Sequence, residues 1–210
     1  MTTKVMRYGD KAWLAEVSAE QVRPLSLYAA HLAGVDEVVP AAATVLVRLA
    51  ASASPIQIEE TAQALADFDA SSTVVAPLDE PHSHLIEVIY DGADLAEIAQ
   101  QSAMSVEAVI DAHMAGQYRV AFCGFSPGFA YLTGLDPRLH VPRRSSPRTT
   151  VPAGSVAIAS EYTAIYPRTS PGGWLLLGCT QQTMWDLQRD EPALLKPGDT
   201  VRFTTLERQR

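Results

Sequence analysis

Cysteine is scarce: Cys123 and Cys179 are the only two among 210 residues. Two cysteines build no disulfide framework, and both sit among apolar neighbours, where a buried free thiol is the ordinary outcome. Long apolar runs are missing too. The most apolar stretch, Val38 to Ile58, is interrupted by Pro40, Arg48 and Pro55, whereas a membrane span needs ~20 largely apolar residues, so no membrane partner is expected. The opening MTTKVMRYGD has no apolar h-region, and the sequence reads as cytoplasmic rather than secreted. Basic charge is short: 16 Lys and Arg against 24 Asp and Glu leave a net charge of −8, which argues against nucleic acid as a partner. Neither a Walker A sequence nor a G-x-G-x-x-G after a strand occurs, so any ATP is not held by either familiar loop.

What the chain does have is enough apolar material, 47% of residues, to bury one large core or two small ones. Residues 5–17 read as two short β stretches around a Gly9-Asp10 turn. Ser18 with Gln21 forms a capping box that opens a helix ending at Gly34. Residues 35–49 read as a strand pair hinged at Pro40, and Ser54-Pro55 starts a second helix with Ile58, Ala62, Leu65 and Phe68 at helical spacing. Two βαβ-like units of this kind predict a small α+β lobe over residues 1–80, closed by a Pro-containing linker from Ala76 to Ser83. A strand from Leu85 to Tyr90, helices from Asp94 and Ser105, and a strand from Tyr118 to Phe122 follow. Between Gly124 and Gly173 lie seven of the 14 prolines and six of the 12 glycines. That texture breaks helices and favours short strands joined by fixed turns, so residues 81–210 read as a β-rich barrel or sandwich with strands at Val151–Ala159, Trp174–Leu177 and Thr200–Phe203.

Several residues invite chemistry. Gly124-Phe125-Ser126-Pro127-Gly128 matches the G-x-S-x-G nucleophile elbow in form only, because Pro127 has no N–H to give the oxyanion hole. His82 and His84 are an H-x-H pair in the linker without a third ligand, and no metal is predicted. His113 falls in the last turn of a helix, where a cation suits the dipole. No acidic residue lies between Asp136 and Glu161, yet Arg138, Arg143, Arg144 and Arg148 do. Arginines beside prolines sit on stiff backbone suited to bidentate contact with a carboxylate or phosphate, although a solvated loop paired with surface acids accounts for the charge equally well. Pro171-Gly172-Gly173-Trp174 allows close backbone approach to a ligand, or a tight hairpin.

The runs GFSPGFAYLTGLDPRLHVPRRSSPRTTVPAGSVAIA (124–159), AIYPRTSPGGWLLLGCT (164–180) and PALLKPGDTVRF (192–203) resemble the family called allophanate hydrolase subunit 1, also known as KipI or, as a component of 5-oxoprolinase, PxpB. The resemblance covers essentially the whole chain. It implies an α+β protein with a small α/β N-terminal lobe and a cyclophilin-like β-barrel C-terminal lobe of carboxyltransferase type. It implies a subunit 2 partner (KipA or PxpC type), a third lactam-utilisation subunit, and ATP-dependent opening of 5-oxoproline to glutamate by the complex. Two other roles described in such proteins are inhibition of a histidine kinase and a carboxyltransferase lobe in a urea carboxylase or allophanate hydrolase system. Departures from the family pattern are Ser160 and Ala164 where glycines are usual, Tyr162 for a glutamine and Cys179 for an arginine, which imply a narrowed or reshaped pocket.

An enzyme subunit binding a small cyclic amide is therefore expected, inactive alone. His113 and Tyr166 are the candidates for handling a proton. Arg143 and Arg148 are the candidates for holding a carboxylate or phosphoryl group. Phe125, Pro127, Gly128, Phe129, Pro152, Gly154, Ser155, Pro171, Gly172, Gly173 and Trp174 complete the expected binding set.

Overall fold

The computed structural model describes residues 3–70 and 80–206. The chain divides into two compact units, Met1–Glu80 and Pro81–Arg210, each with its own core. Half of the expected linker, residues 76–79, falls outside the described residues, and its last residue, Ser83, already opens a strand.

The first unit runs β1 (Lys4–Arg7), β2 (Ala12–Glu16), α1 (Ala19–Ala30), β3 (Val35–Pro40), β4 (Thr44–Leu49) and α2 (Pro55–Ala66). Its sheet has the order β1-β2-β4-β3 with every neighbour antiparallel. β2 and β3 flank β4 and so run parallel to each other, making β2-α1-β3 a split crossover. Among the described residues this is one βαβ unit where two were expected, beside the β1–β2 pair expected around the Gly9-Asp10 turn. At the second helix the box is complete: Gln57 N donates to Ser54 Oγ (3.3 Å) and Ser54 N to Gln57 Oε1 (3.0 Å). Helix α1 stops at Ala30, one turn before the expected Gly34, where φ is +82°. Trp13, Leu25, Leu65 and Phe68 fill the core, and Trp13 Nε1 donates to Ile58 O (2.8 Å).

The second unit runs β5 (Ser83–Val88), α3 (Leu95–Gln101), α4 (Val106–Ala115), β6 (Tyr118–Cys123), β7 (Ala130–Thr133), a 3-10 turn at Pro137–Leu139, β8 (Arg148–Val151), β9 (Ser155–Ala159), β10 (Tyr162–Ile165), β11 (Ser170–Gly172), β12 (Leu175–Cys179) and β13 (Thr200–Thr205). The strand expected over Val151–Ala159 is broken at Pro152, so β8 leaves the main sheet to pair with β11 as a two-stranded ribbon. Seven strands form a sheet of order β12-β9-β10-β7-β6-β13-β5. Its two outer strands meet: Ile89, just past β5, exchanges backbone hydrogen bonds with Cys179 at the end of β12 (2.8 and 2.9 Å). This bridge bends the sheet into a nearly closed barrel, the α+β architecture expected. No helix among the described residues is long and apolar enough to cross a membrane.

The strands alternate with period two. Val156, Ile158, Ile165, Leu175, Leu177 and Leu132 face a main core shared with Ile98 of α3 and Val109 of α4. The intervening residues face the other way and build a second cluster around Phe129, Tyr166 and Trp174. The seam between β12 and residue 89 leaves no room for a side chain at Gly178, where a Cβ would lie 2.2 Å from Ile89 O. Gly178→Ala is therefore expected to lower the unfolding free energy by about 1–3 kcal/mol, as overpacking does, read from the midpoint of a urea transition.

Candidate functional site

The second cluster is a wall of rings on a floor of methyl groups. Ala157 and Ala159 of β9 and Ala164 of β10 are fully buried, and their small side chains leave space for rings from neighbouring strands. Phe129 stands edge-on to Tyr131, Tyr166 and Trp174 with centroids 5.1, 5.3 and 5.6 Å apart, the geometry that ring quadrupoles favour. Phe122 stacks on Tyr131 (4.4 Å), and Tyr162 meets Tyr131 edge-on (5.7 Å). Tyr162, at the departure from the family pattern, thus extends the aromatic row.

Phe125 lies over this wall, 5.2 Å from Phe129 and 6.4 Å from Tyr166, and is 61% exposed. Its φ of +68° is costly for a bulky residue, about 1–2 kcal/mol. A tight turn enforces it: Phe129 N donates to Ser126 O (3.0 Å) and Gly124 N to Phe129 O (3.1 Å). The chain then enters β7 with no helix after Ser126, in keeping with rejection of the nucleophile elbow. Pro127 is exposed, and Gly128 packs against Trp185 and Pro167.

Tyr166 is the centre of the cluster. Its backbone is held by Gly154 N–H donating to Tyr166 O (2.8 Å) and by its own N–H donating to Ser155 O (2.9 Å). Gly154 and Ser155 therefore act on the site through main-chain pairing. Pro152 and Pro171 are exposed on the adjoining turn and ribbon. The Tyr166 hydroxyl abuts Gly172, where a Cβ would fall 2.2 Å from it, and the Trp174 backbone N–H lies near it. Burial raises the phenol pKa above its ordinary value, against the smaller opposing pull of that N–H, Arg143 and Arg148. Tyr166 thus stays protonated.

The four arginines divide sharply. Arg138 pairs with Asp136 (2.7 Å). Arg148 Nη2 and Arg144 Nη1 both donate to Asp94 Oδ1 (2.6 and 3.2 Å), and Arg144 also reaches Glu97 (3.3 Å). Asp94 is buried just before α3, and its Oδ2 accepts Leu176 N–H from β12 (2.7 Å). Two further donors of this clasp, Arg144 Nε and Arg148 Nη1, are buried without a partner among the described residues. Arg143 alone pairs with no carboxylate among the described residues. Its guanidinium lies 5.7 Å from the centre of the Trp174 ring, a cation–π placement. Arg148, expected to hold substrate, is instead an ion-pair partner of Asp94, while Arg143 is exposed. Gly173 accepts Arg144 N–H (2.8 Å), which ties the arginine loop to the Trp174 strand.

His113 needs correction. It is wholly buried, packed 4.5 Å from Phe203 and 5.3 Å from Tyr118, on the opposite side of the sheet from the Tyr166 cluster. Thr163 Oγ1 donates to Ala157 O (3.0 Å), so it accepts from His113 Nε2 (3.1 Å); His113 Nδ1 then accepts from the Tyr90 hydroxyl (2.8 Å). Both ring nitrogens are occupied by this directed chain and the imidazole is neutral, a core residue rather than a proton carrier for substrate. Asp94, Arg144 and Tyr131 are the site residues that the sequence did not assign to it. A lone aspartate before a helix gives no sign that it will be buried against two arginines.

Burial lowers the His113 pKa from 6.5 to about 3. Below pH 6.5 the unfolded chain takes up a proton that the folded chain refuses, so stability is fully present above 6.5 and falls toward about 3, by about 1.4 kcal/mol per pH unit. Between pH 7 and pH 5 this group should remove about 2 kcal/mol. Urea unfolding at both pH values should show that loss in the parent chain and not in His113→Gln.

The family model "Carboxyltransferase domain, subdomain C and D" matches residues 3–195. A protein of Escherichia coli O157:H7, named as the B component of 5-oxoprolinase, is 50% identical over 129 residues, which are 59% of this chain and 59% of that protein. The chain thus matches about three fifths of the length of that relative. The solved structure of TTHA0988 superposes with a TM-score of 0.75 at 34% identity, covering 98% of this chain and 40% of that one. The Kluyveromyces lactis urea carboxylase gives 0.71 at 19% identity, covering 98% and 22%, a likeness of fold. From Thr3 to Leu195 the sequence and its barrel carry one family's signature, and the chain belongs to the carboxyltransferase domain, subdomain C and D family.

Proposed function

We propose that this chain is one subunit of a cytoplasmic, ATP-dependent 5-oxoprolinase, which opens a cyclic amide to glutamate only when joined by a subunit 2 partner and a third subunit. The observation that carries this reading is the 50% identity to a protein named as a component of 5-oxoprolinase; the chemistry of the cleft agrees with it. 5-Oxoproline is a small flat ring bearing one carboxylate. Arg143, without a carboxylate partner among the described residues and held beside Trp174, offers a charge-assisted contact to that group. The exposed ring of Phe125 offers the substrate ring an apolar surface. Tyr166, whose phenol pKa is raised by burial, keeps its proton to donate to the amide as it opens. A lactam is a stable amide, and ATP would supply its activation by phosphorylating the amide oxygen. The cleft has groups for one small carboxylate and no glycine-rich phosphate cradle among the described residues, so nucleotide contact is assigned to the complex as a whole.

The test is ATP hydrolysis dependent on 5-oxoproline, measured with this chain and its partner subunits, omitting each in turn. Activity lost on omission of this chain supports the reading. An intact complex without activity overturns it, in favour of another amide or of kinase inhibition. Within the active complex, Arg143→Ala should raise KM roughly 10- to 150-fold, the loss of about 1.5–3 kcal/mol for a hydrogen bond to a charged group, while gel filtration shows assembly unchanged.

A further inference from the structure

We infer that Asp94 is the positioning residue for Arg143: one buried carboxylate anchors both the loop that carries the cation and the strand that carries the ring beneath it. Resting on the reading of Arg143 as the carboxylate-binding group, this assigns Asp94 to the substrate site although it meets no substrate itself. Arg143 makes no ion pair among the described residues, so its place must come from its neighbours. On its C-terminal side, Arg144 Nη1 and Arg148 Nη2 converge on Asp94 Oδ1 at 3.2 and 2.6 Å. The other oxygen of the same carboxylate accepts Leu176 N–H at 2.7 Å, two residues beyond Trp174. Arg144 N–H closes the figure on Gly173 O at 2.8 Å. Pro142 and Pro147 limit the backbone choices of the segment between. Cation and ring are thus referred to one fixed charge, and the Asp94 side chain is 3% exposed, where a charge pair is screened little. Glu97 also reaches Arg144 but makes no hydrogen bond to Arg148 or β12 among the described residues.

The inference is tested on the folded chain by NMR. Arg143 side-chain protons over an indole are shifted upfield by its ring current, and Trp174→Leu identifies that shift. In Asp94→Asn the shift should fall to less than about half, as the loop is released, and Arg144→Ala should move it the same way. Arg144→Ala serves where Asp94→Asn does not fold. An Arg143 shift unchanged in a folded variant, or absent from the parent, overturns the inference. In the assembled enzyme, Asp94→Asn should raise KM for 5-oxoproline about 10-fold with kcat little changed, and adding it to Arg143→Ala should raise KM no further, since the two act as one unit. Additive effects would overturn the positioning role and leave Asp94 merely structural. A parent complex without 5-oxoproline turnover would overturn the proposed function instead, and the NMR result would still decide the placement of Arg143.

Discussion

The second unit depends on a single buried carboxylate. Asp94 stands at the start of α3 and is bonded at both oxygens, to two guanidinium groups and to the main chain of β12. Without it, the peptide N–H of Leu176 would be orphaned, Arg148 would lack its counter-charge and Arg144 would keep only Glu97. Removing one partner of a fully buried charge group costs about 3–5 kcal/mol, and the partial exposure of Arg144 and Arg148, 30% and 24%, lowers that figure through solvent screening. Asp94 and Asp136 together explain how a basic loop sits on an acidic protein: Arg144 and Arg148 meet Asp94, Arg138 meets Asp136, and of the four arginines Arg143 alone pairs with no carboxylate among the described residues.

The aromatic face follows from a complementarity of sizes. Three alanines on β9 and β10 set a low floor, and Phe129, Tyr131, Tyr166 and Trp174 fill the height above it. Gly172 completes the fit, because any side chain there would strike the Tyr166 hydroxyl. The main core solves its own polar problem separately. His113 is satisfied by a one-directional chain, Tyr90 to His113 to Thr163 to Ala157 O, which lets an imidazole occupy an apolar interior without charge. The two faces of one sheet thus hold two tyrosine-containing groups, Tyr90 with His113 in the main core and Tyr166 in the aromatic cluster.

Much of the fold was legible because its signals are local. The serine–glutamine box at Ser54 and the helical spacing through Leu65 operate within a turn or two, and the same residues reappear in the structure as cap and core. β7, β10 and β11 were not legible, since AYLT, YTAI and SPG are too short to show a period, and their pairing is set by partners far along the chain. At the site, the arginine-rich loop stood out by charge alone, but which arginine stays unpaired depends on Asp94, some fifty residues upstream. His113 misled for the same reason: a histidine in a last helical turn looks the same whether it faces solvent or a barrel core. Tyr166, Phe129, Gly172 and Trp174 do meet, and the motifs that named them are turns whose geometry is local.

The departures from the family pattern have distinct physical consequences. Ser160 keeps the left-handed turn between β9 and β10, with φ at +51°, a conformation that a glycine takes without strain and a serine takes at a cost of about 1 kcal/mol. It is exposed, and its N–H donates to Val141 O at 2.7 Å, so the turn is held by main-chain bonding that a hydroxymethyl group does not disturb. Ala164 is different in kind. Its methyl group is fully buried in the floor of the aromatic face, beneath rings that a glycine would let settle closer to the sheet. One substitution strains a turn and leaves the aromatic cluster alone; the other adds a methyl group under its rings, so the difference in shape from a site with glycine there lies beneath the aromatic wall rather than at its charged rim.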